Sequence, residues 1–251
     1  MAPDDPSFLS EEGRVATFCL LHGNWHDGSC WEWLVGPLER RGHDAVAPDL
    51  PVDDPRTGYE ERVQPALGAL EGVRGPVVVV GHSASAGYAA LVAARVRASL
   101  LVHLCPWRVN PFDPPAGAPA VFREGAPLPP RRPDGATVWD REAAVELMYG
   151  RLPRETAEKL AARLRPASPP VGDYPLRDHP DLATALVYAS DDEFFEPAWE
   201  RFMARELLGV APIEIRGGHF PMLEDPEGLA DLLDRLARDH VAELERDTGS
   251  G

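Results

Sequence analysis

The chain has 251 residues, of which 44% are hydrophobic, and it carries a formal net charge of −16. This length suits one large domain or two small ones, and the apolar fraction is sufficient for a sizeable core. The negative charge disfavours nucleic acid, anionic lipid and polyanionic substrates, because the field of the protein repels them. No run of 18 uncharged apolar residues predicts a helix that spans a membrane.

The cysteine content favours a reduced protein. Cys19, Cys30 and Cys105 are odd in number and form no Cys-x-x-Cys pair, so neither a disulfide framework nor a metal site is predicted. The acidic N-terminus lacks the apolar segment of a secretion signal. We therefore expect a cytoplasmic protein without metal or cofactor, with a flexible arm at 1–13 and a flexible tail at 245–251.

Short apolar runs alternate with helical patterns in the first part of the chain. Strands are predicted at 14–21, 43–51, 76–81 and 99–106, and helices at 30–42, 59–73 and 85–96. Strands that are apolar on both faces and alternate with helices are typical of a parallel sheet covered on both sides. The predicted fold is therefore an open α/β sheet.

Proline becomes frequent between residues 106 and 180, and the alternation stops there. Two amphipathic helical patches lie inside this segment, at 139–150 and 153–164. We predict that 106–180 is a cap insertion after the fourth strand, between the two parts of the core at 14–105 and 181–244. The alternation resumes with strands at 183–190 and 211–215 and helices at 196–209 and 225–244.

A serine follows the apolar strand in VVVVGHSASAGYAA, residues 77–90. In open α/β sheets ligands bind at the carboxyl ends of the strands, which is where Ser83 lies. The pattern Gly81-His82-Ser83-Ala84-Ser85 is that of a nucleophile elbow, G-x-S-x-G, with serine in the fifth position. The alternative is that Ser83 only caps the following helix.

A serine nucleophile needs a base and an orienting acid, and after an elbow these follow in the order acid, histidine. Asp191, Asp192 and Glu193 follow the strand at 183–190, and His219 follows the strand at 211–215. Both expected places are filled, so we predict Ser83 as nucleophile, His219 as base and one of the acidic residues as the acid.

The loop after the first strand, LHGNWHDGS, is expected to complete the site. Its Asn24 N–H and the Ala84 N–H are the predicted oxyanion donors, with Trp25 as the alternative to Asn24. Trp25, His26 and Trp107 are candidates for the substrate pocket. For Trp25 and His26, an ordinary position on the protein surface is an equally good interpretation.

These residues together resemble the α/β-hydrolase superfamily, from FCLLHGNWHDGSCW to RGGHFPMLEDPEGLADLL. They look most like the small esterases that include plant methyl-ester esterases, hydroxynitrile lyases and bacterial relatives. The resemblance implies Asp192 as the acid, with Asp191 as runner-up, and a helical cap over the serine. The lyases have a lysine directly after the catalytic histidine, where this chain has Phe220, so cyanohydrin cleavage is disfavoured.

The expected function is that of a serine hydrolase that cleaves a carboxylic ester, or a lactone, of a small to medium apolar substrate through an acyl-enzyme. The expected partner is this small molecule, and both a monomer and a homodimer remain open. Two alternatives also remain: a ligand receptor or regulator with slow turnover, and lyase, cyclase or acyl-transfer chemistry on a biosynthetic intermediate.

Overall fold

The computed structural model describes residues 15–110 and 114–248, with the backbone alone from residue 242. Six strands form one parallel sheet in the order β2-β1-β3-β4-β5-β6. They are β1 (Thr17–Leu21), β2 (Asp44–Val46), β3 (Val77–His82), β4 (Leu100–Leu104), β5 (Thr184–Ala189) and β6 (Pro212–Ile215). The predicted α/β class with about six strands is confirmed.

Helices cover both faces of this sheet. The core helices are α1 (Glu32–Arg40), α2 (Tyr59–Ala69), α3 (Ala86–Val96), α6 (Pro197–Phe202), α7 (Pro221–Glu224) and α8 (Pro226–Thr248). Helices α1 and α8 pack with Phe18 and Leu20 on one face, and α2 and α3 pack with Cys19 and Leu21 on the other. The alternation of side chains along β1 therefore fills both layers of the core, which explains why every residue of this strand is buried.

The inserted segment 106–180 contains two short helices, α4 (Arg141–Ala143) and α5 (Arg154–Ala161). One wider π turn extends α4 to Met148, and another extends α6 to Leu207. The return of this segment to the core is held by Arg165, which donates to the carbonyls of His26 and Leu50 and pairs with Asp49. These bonds fasten the segment that was predicted to be a cap to the loops after β1 and β2.

Some element bounds differ from the sequence prediction. Helix α8 continues to Thr248, into the predicted flexible tail, because residues 243–248 contain neither glycine nor proline. Strand β2 covers only Asp44–Val46, since this edge strand pairs over three residues with β1. The short helix α7 was not predicted. The predicted arm at 1–13 lies outside the described residues. Within the described ranges, no helix is both long and apolar enough to cross a membrane.

Candidate active site

Ser83 lies at the sharp turn between β3 and α3, in a single 3-10 turn that spans Ser83–Ser85. Its φ angle is 54°, a left-handed conformation that costs a non-glycine residue about 1–3 kcal/mol. Two glycines give this turn room. A Cβ at Gly81 would clash with the side chain of Ala89, and a Cβ at Gly23 would lie 3.0 Å from the Cβ of Ser83. The strained backbone supports the elbow interpretation over simple helix capping.

Ser85 occupies the fifth position of the elbow and has a structural use there. Its buried hydroxyl lies 2.8 Å from the carbonyl oxygen of Leu21 and 2.9 Å from that of His82. Donation to these acceptors ties the elbow to the end of β1. A glycine, which the G-x-S-x-G pattern has here, could not make this connection.

His219 and Asp192 meet at the carboxyl end of the sheet. His219 lies in the loop after β6, and its Nδ1 is 2.6 Å from Oδ2 of Asp192, which follows β5. The Asp192 side chain is fully buried. By contrast, the side chain of Asp191 is 58% exposed and lies 3.5 Å from Arg151. Of the two candidate acids, the structure brings Asp192 to His219.

The loop that carries His219 is held by groups that the sequence did not reveal. The His219 N–H donates to Oε2 of Glu193 (3.0 Å), and Arg151 of the cap donates to the other oxygen of Glu193 (2.7 Å). The Gly218 N–H donates to Glu224 (2.9 Å). These bonds fix the backbone on which the imidazole stands.

His82, the residue before the serine, supports the same loop. Its Nε2 lies 2.8 Å from the carbonyl oxygen of His219 and donates to it. Burial, followed by the nearby charge of His219, lowers the pKa of His82 well below its ordinary value. His82 therefore acts as a neutral hydrogen-bond donor, and only one of its ring nitrogens carries a proton.

Ser83 and His219 line the same cavity, of about 280 Å³, which we call the apolar cavity. The two predicted oxyanion residues, Asn24 and Ala84, line it as well, as do Trp25 and Trp107 among the pocket candidates. Its other walls are mainly aromatic or apolar, and they include Phe122, Leu128, Pro129, Phe194 and Phe195. The catalytic and oxyanion roles of these residues remain predictions.

His26 does not line the apolar cavity, so its predicted place in the substrate pocket needs correction. Its ring is 6% exposed and packs beside Phe220, with 5.0 Å between the ring centres. Nδ1 donates to the carbonyl oxygen of Asn24 (2.8 Å), which leaves Nε2 to accept from the Tyr149 hydroxyl (2.7 Å). His26 thus links the loop after β1 to Tyr149 of the segment between β4 and β5.

One group of possible metal ligands is present in the described residues. The ligand atoms of Cys105, Asp192 and His219 lie within 4.8 Å of one another. Asp192 and His219 are bonded to each other, however, and burial raises the pKa of the Cys105 thiol well above its ordinary value. A neutral thiol is a poor metal ligand, so the donor set does not favour a metal.

A parallel α/β sheet with a serine elbow after β3, an acid after β5 and a histidine after β6 defines the α/β-hydrolase class. The sequence matches the model of the alpha/beta hydrolase family over residues 20–232, and the chain belongs to this family. The predicted family, fold class and enzyme class, a carboxylesterase-like α/β hydrolase, are therefore confirmed.

Similar proteins carry the names of hydrolases and esterases. The pyrethroid hydrolase of Sphingobium wenxiniae is 25% identical over 242 residues, which cover 87% of this chain and 86% of the relative. The probable esterase PIR7A of Oryza sativa subsp. indica is 25% identical over 261 aligned positions, with coverages of 88% and 96%. The crystal structure of a pyrethroid hydrolase from Sphingobium faniae superposes with a TM-score of 0.70 at 23% identity, over 88% of this chain and 97% of the other. That structural similarity concerns the fold.

Proposed function

We propose that this protein is a serine hydrolase that cleaves a carboxylic ester, including a lactone, of a small to medium substrate with an apolar part. The contact of 2.6 Å between Nδ1 of His219 and Oδ2 of Asp192, beside a cavity that Ser83 lines, carries this proposal. The names of two relatives, a pyrethroid hydrolase and a probable esterase, support the same reaction class.

In the proposed reaction, His219 takes the proton of the Ser83 hydroxyl while the Ser83 oxygen forms a bond to the ester carbonyl carbon. The negative charge that develops on the carbonyl oxygen is stabilised by the N–H groups of Asn24 and Ala84. Asp192 keeps the proton of His219 on Nδ1 and stabilises the imidazolium. His219 then returns the proton to the leaving alcohol, and the acyl group stays on Ser83.

The second half of the reaction uses water. His219 removes a proton from a water molecule, whose oxygen forms a bond to the acyl carbon. The bond from this carbon to the Ser83 oxygen breaks, and His219 returns the proton to that oxygen, which restores the free enzyme. The products are one alcohol and one carboxylic acid, and no redox step is involved. The apolar and aromatic walls around Ser83 and His219 support a substrate with an apolar group at this end.

The test is labelling and turnover. A fluorophosphonate probe should add one mass equivalent, mapped to the Ser83 peptide, and Ser83→Ala should lose both labelling and hydrolysis of p-nitrophenyl butyrate. Ser99→Ala, before β4 at the opposite end of the sheet, is the matched control and should keep both. A Ser83→Ala variant with parent activity would overturn the proposal.

Two further readouts separate the reaction from its alternatives. Many turnovers per protein molecule distinguish an esterase from a receptor that reacts once. Reaction in 18O-labelled water should place one labelled oxygen in the acid product. An unlabelled product would indicate lyase, cyclase or acyl-transfer chemistry instead.

A further inference from the structure

A second cavity, of about 300 Å³, adjoins the apolar cavity. The two share five lining residues: Asn24, Ala84, Trp107, Arg131 and Thr137. The predicted oxyanion donors thus lie where the cavities meet. An ester whose carbonyl oxygen is bound there would extend one of its halves into each cavity.

The second cavity, which we call the arginine cavity, has a different charge from the apolar one. Arg62, Arg108 and Arg131 line it, and no carboxylate is among its described lining residues. The guanidinium of Arg108 lies over the ring of Trp107, 5.2 Å from its centre. A cationic cavity is unexpected in a chain with a net charge of −16, so it points to a ligand of opposite charge.

Arg62 contributes a buried positive charge to this cavity. The residue is fully buried, and its donors go to neutral acceptors: the hydroxyls of Thr57 and Tyr88 and the carbonyls of Asp54, Ser168 and Pro169. The nearby carboxylate of Asp54 is bonded to Arg56 instead. Among the described residues, Arg62 therefore donates to no carboxylate oxygen, although the charge of Asp54 is close enough to interact with it. Arg62 thus adds positive charge to the wall of the cavity.

Arg131 offers the direct contact. It lies at the junction of the two cavities, and Nη1 donates to the carbonyl oxygen of Gly135 at 2.8 Å. Within the ranges that the structure describes, Arg131 forms no ion pair. Its remaining donors are available to a carboxylate, which a guanidinium binds with particular strength through charge-assisted hydrogen bonds.

The position of His219 indicates which half of the ester lies in which cavity, because His219 lines the apolar cavity and not the arginine cavity. In the proposed reaction His219 protonates the leaving alcohol, so the alcohol half belongs in the apolar cavity. The acyl half then extends into the arginine cavity. We infer, on the basis of the proposed function, that the substrate is an ester formed from an apolar alcohol and an acyl chain that ends in an anionic group. A half ester of a dicarboxylic acid has this form, and Arg131 binds its free carboxylate.

The test compares benzyl hydrogen adipate with the same ester in which the free carboxylate is replaced by a carboxamide. The parent should hydrolyse the ester with the free carboxylate (the acid) with a kcat/KM about tenfold or more above that for the carboxamide (the amide). The difference should come mainly from a lower KM, as expected for one charge-assisted contact. Without such a site, the net charge of the protein would disfavour the acid. The ratio of kcat/KM for the acid to kcat/KM for the amide should fall towards one in Arg131→Gln. It should keep its parent value in Arg132→Gln, because both arginines are exposed but only Arg131 lines the cavities.

The direction is tested with the charge on the alcohol half, using 6-(butanoyloxy)hexanoate and its amide. No preference for the acid is expected here. Three results would each overturn the inference. The first is a parent ratio of one or less for the adipate pair, and the second is a ratio that falls equally in Arg131→Gln and Arg132→Gln. The third is a higher kcat/KM for 6-(butanoyloxy)hexanoate than for its amide. Failure of the proposed function would be seen separately, as Ser83→Ala hydrolysing benzyl hydrogen adipate at the parent rate.

Discussion

Asp192 holds His219 with one carboxylate oxygen while its other oxygen is held by the backbone. Oδ2 lies 2.6 Å from Nδ1 of His219, and Oδ1 accepts from the N–H groups of Phe194 (2.8 Å) and Phe195 (3.0 Å). The carboxylate therefore cannot rotate without losing bonds. The arrangement keeps the proton of a neutral His219 on Nδ1 and leaves Nε2 able to accept a proton from the substrate side.

Asp192→Asn is expected to lower kcat by about 10⁴-fold, the size of the effect of this change in other serine hydrolases. The amide oxygen can keep the bonds to the Phe194 and Phe195 N–H groups, so the amide nitrogen faces His219. The imidazole must then carry its proton on Nε2 and cannot deprotonate Ser83. Steady-state hydrolysis of p-nitrophenyl butyrate measures the effect. Asp191→Asn, on the exposed neighbour, should stay within about twofold of the parent, and equal losses would contradict the assignment.

The elbow prediction concerns Ser85. Ser85→Ala and Ser85→Gly should each lower the free energy of unfolding by about 1–2 kcal/mol, because the carbonyls of Leu21 and His82 lose a buried donor. The glycine variant should be the less stable of the two, since glycine also gains freedom in the unfolded chain. Urea unfolding gives the values, with Ser99→Ala as control. A glycine variant as stable as the parent would contradict the role given to this hydroxyl.

Glu200 of α6 leads to a prediction about pH. The residue is fully buried, and within the described structure neither of its carboxylate oxygens has a hydrogen-bond partner. Burial first, and the charge of Asp192 second, raise its pKa well above the ordinary 4.5. Above pH 4.5 the unfolded chain releases this proton while the folded protein keeps it. The stability that depends on Glu200 is therefore complete below pH 4.5 and declines as the pH rises.

Glu200→Gln should remove this decline. The free energy of unfolding of the variant, relative to the parent, should increase as the pH rises above 4.5 in urea titrations. Glu206→Gln, on the exposed side of the π turn that follows α6, is the matched control and should show a constant difference. A Glu200→Gln variant that loses stability relative to the parent as the pH rises would refute the explanation.

His26 makes the opposite prediction at acid pH. Burial lowers its pKa from 6.5 to about 4. Between pH 6.5 and about pH 4, His26 therefore binds a proton in the unfolded chain but not in the folded protein. The free energy of unfolding falls by up to about 3 kcal/mol as the pH is lowered through this range. In His26→Gln this loss is absent, so the stability advantage of the parent over the variant should shrink from pH 7 to pH 4. An advantage that stays constant would contradict this account.

Local sequence patterns were sufficient for the main elements of the fold. The apolar runs around Val77–His82 and Leu100–Leu104 predict buried parallel strands, because they are short, rich in valine and leucine, and alternate with helical patterns. The order serine, acid, histidine was predicted from the same pattern, since Ser83, an acidic residue and His219 each lie within four residues of a strand end. The choice of Asp192 among the acidic residues came from the family resemblance instead. The extent of α8 and the short α7 depended on details that these patterns do not capture.

Contacts between distant parts of the chain could not be predicted. His26 turns away from the cavity because Tyr149, 123 residues further along, offers its hydroxyl. Arg62 faces the arginine cavity only because the chain returns past it at Ser168 and Pro169. Periodicity describes the environment of a side chain within its own element. It carries no information on which remote segment completes that environment.

The division of labour between sheet and cap has a consequence for how such an enzyme changes over evolutionary time. Ser83, Asp192 and His219 stand on strand ends, whereas Phe122, Arg131 and many other wall residues belong to the inserted segment. Substitutions in the segment between β4 and β5 can therefore change the walls of both cavities without changing the proposed catalytic residues. Proteins with this architecture can thus change their substrate specificity during evolution while they keep the same reaction.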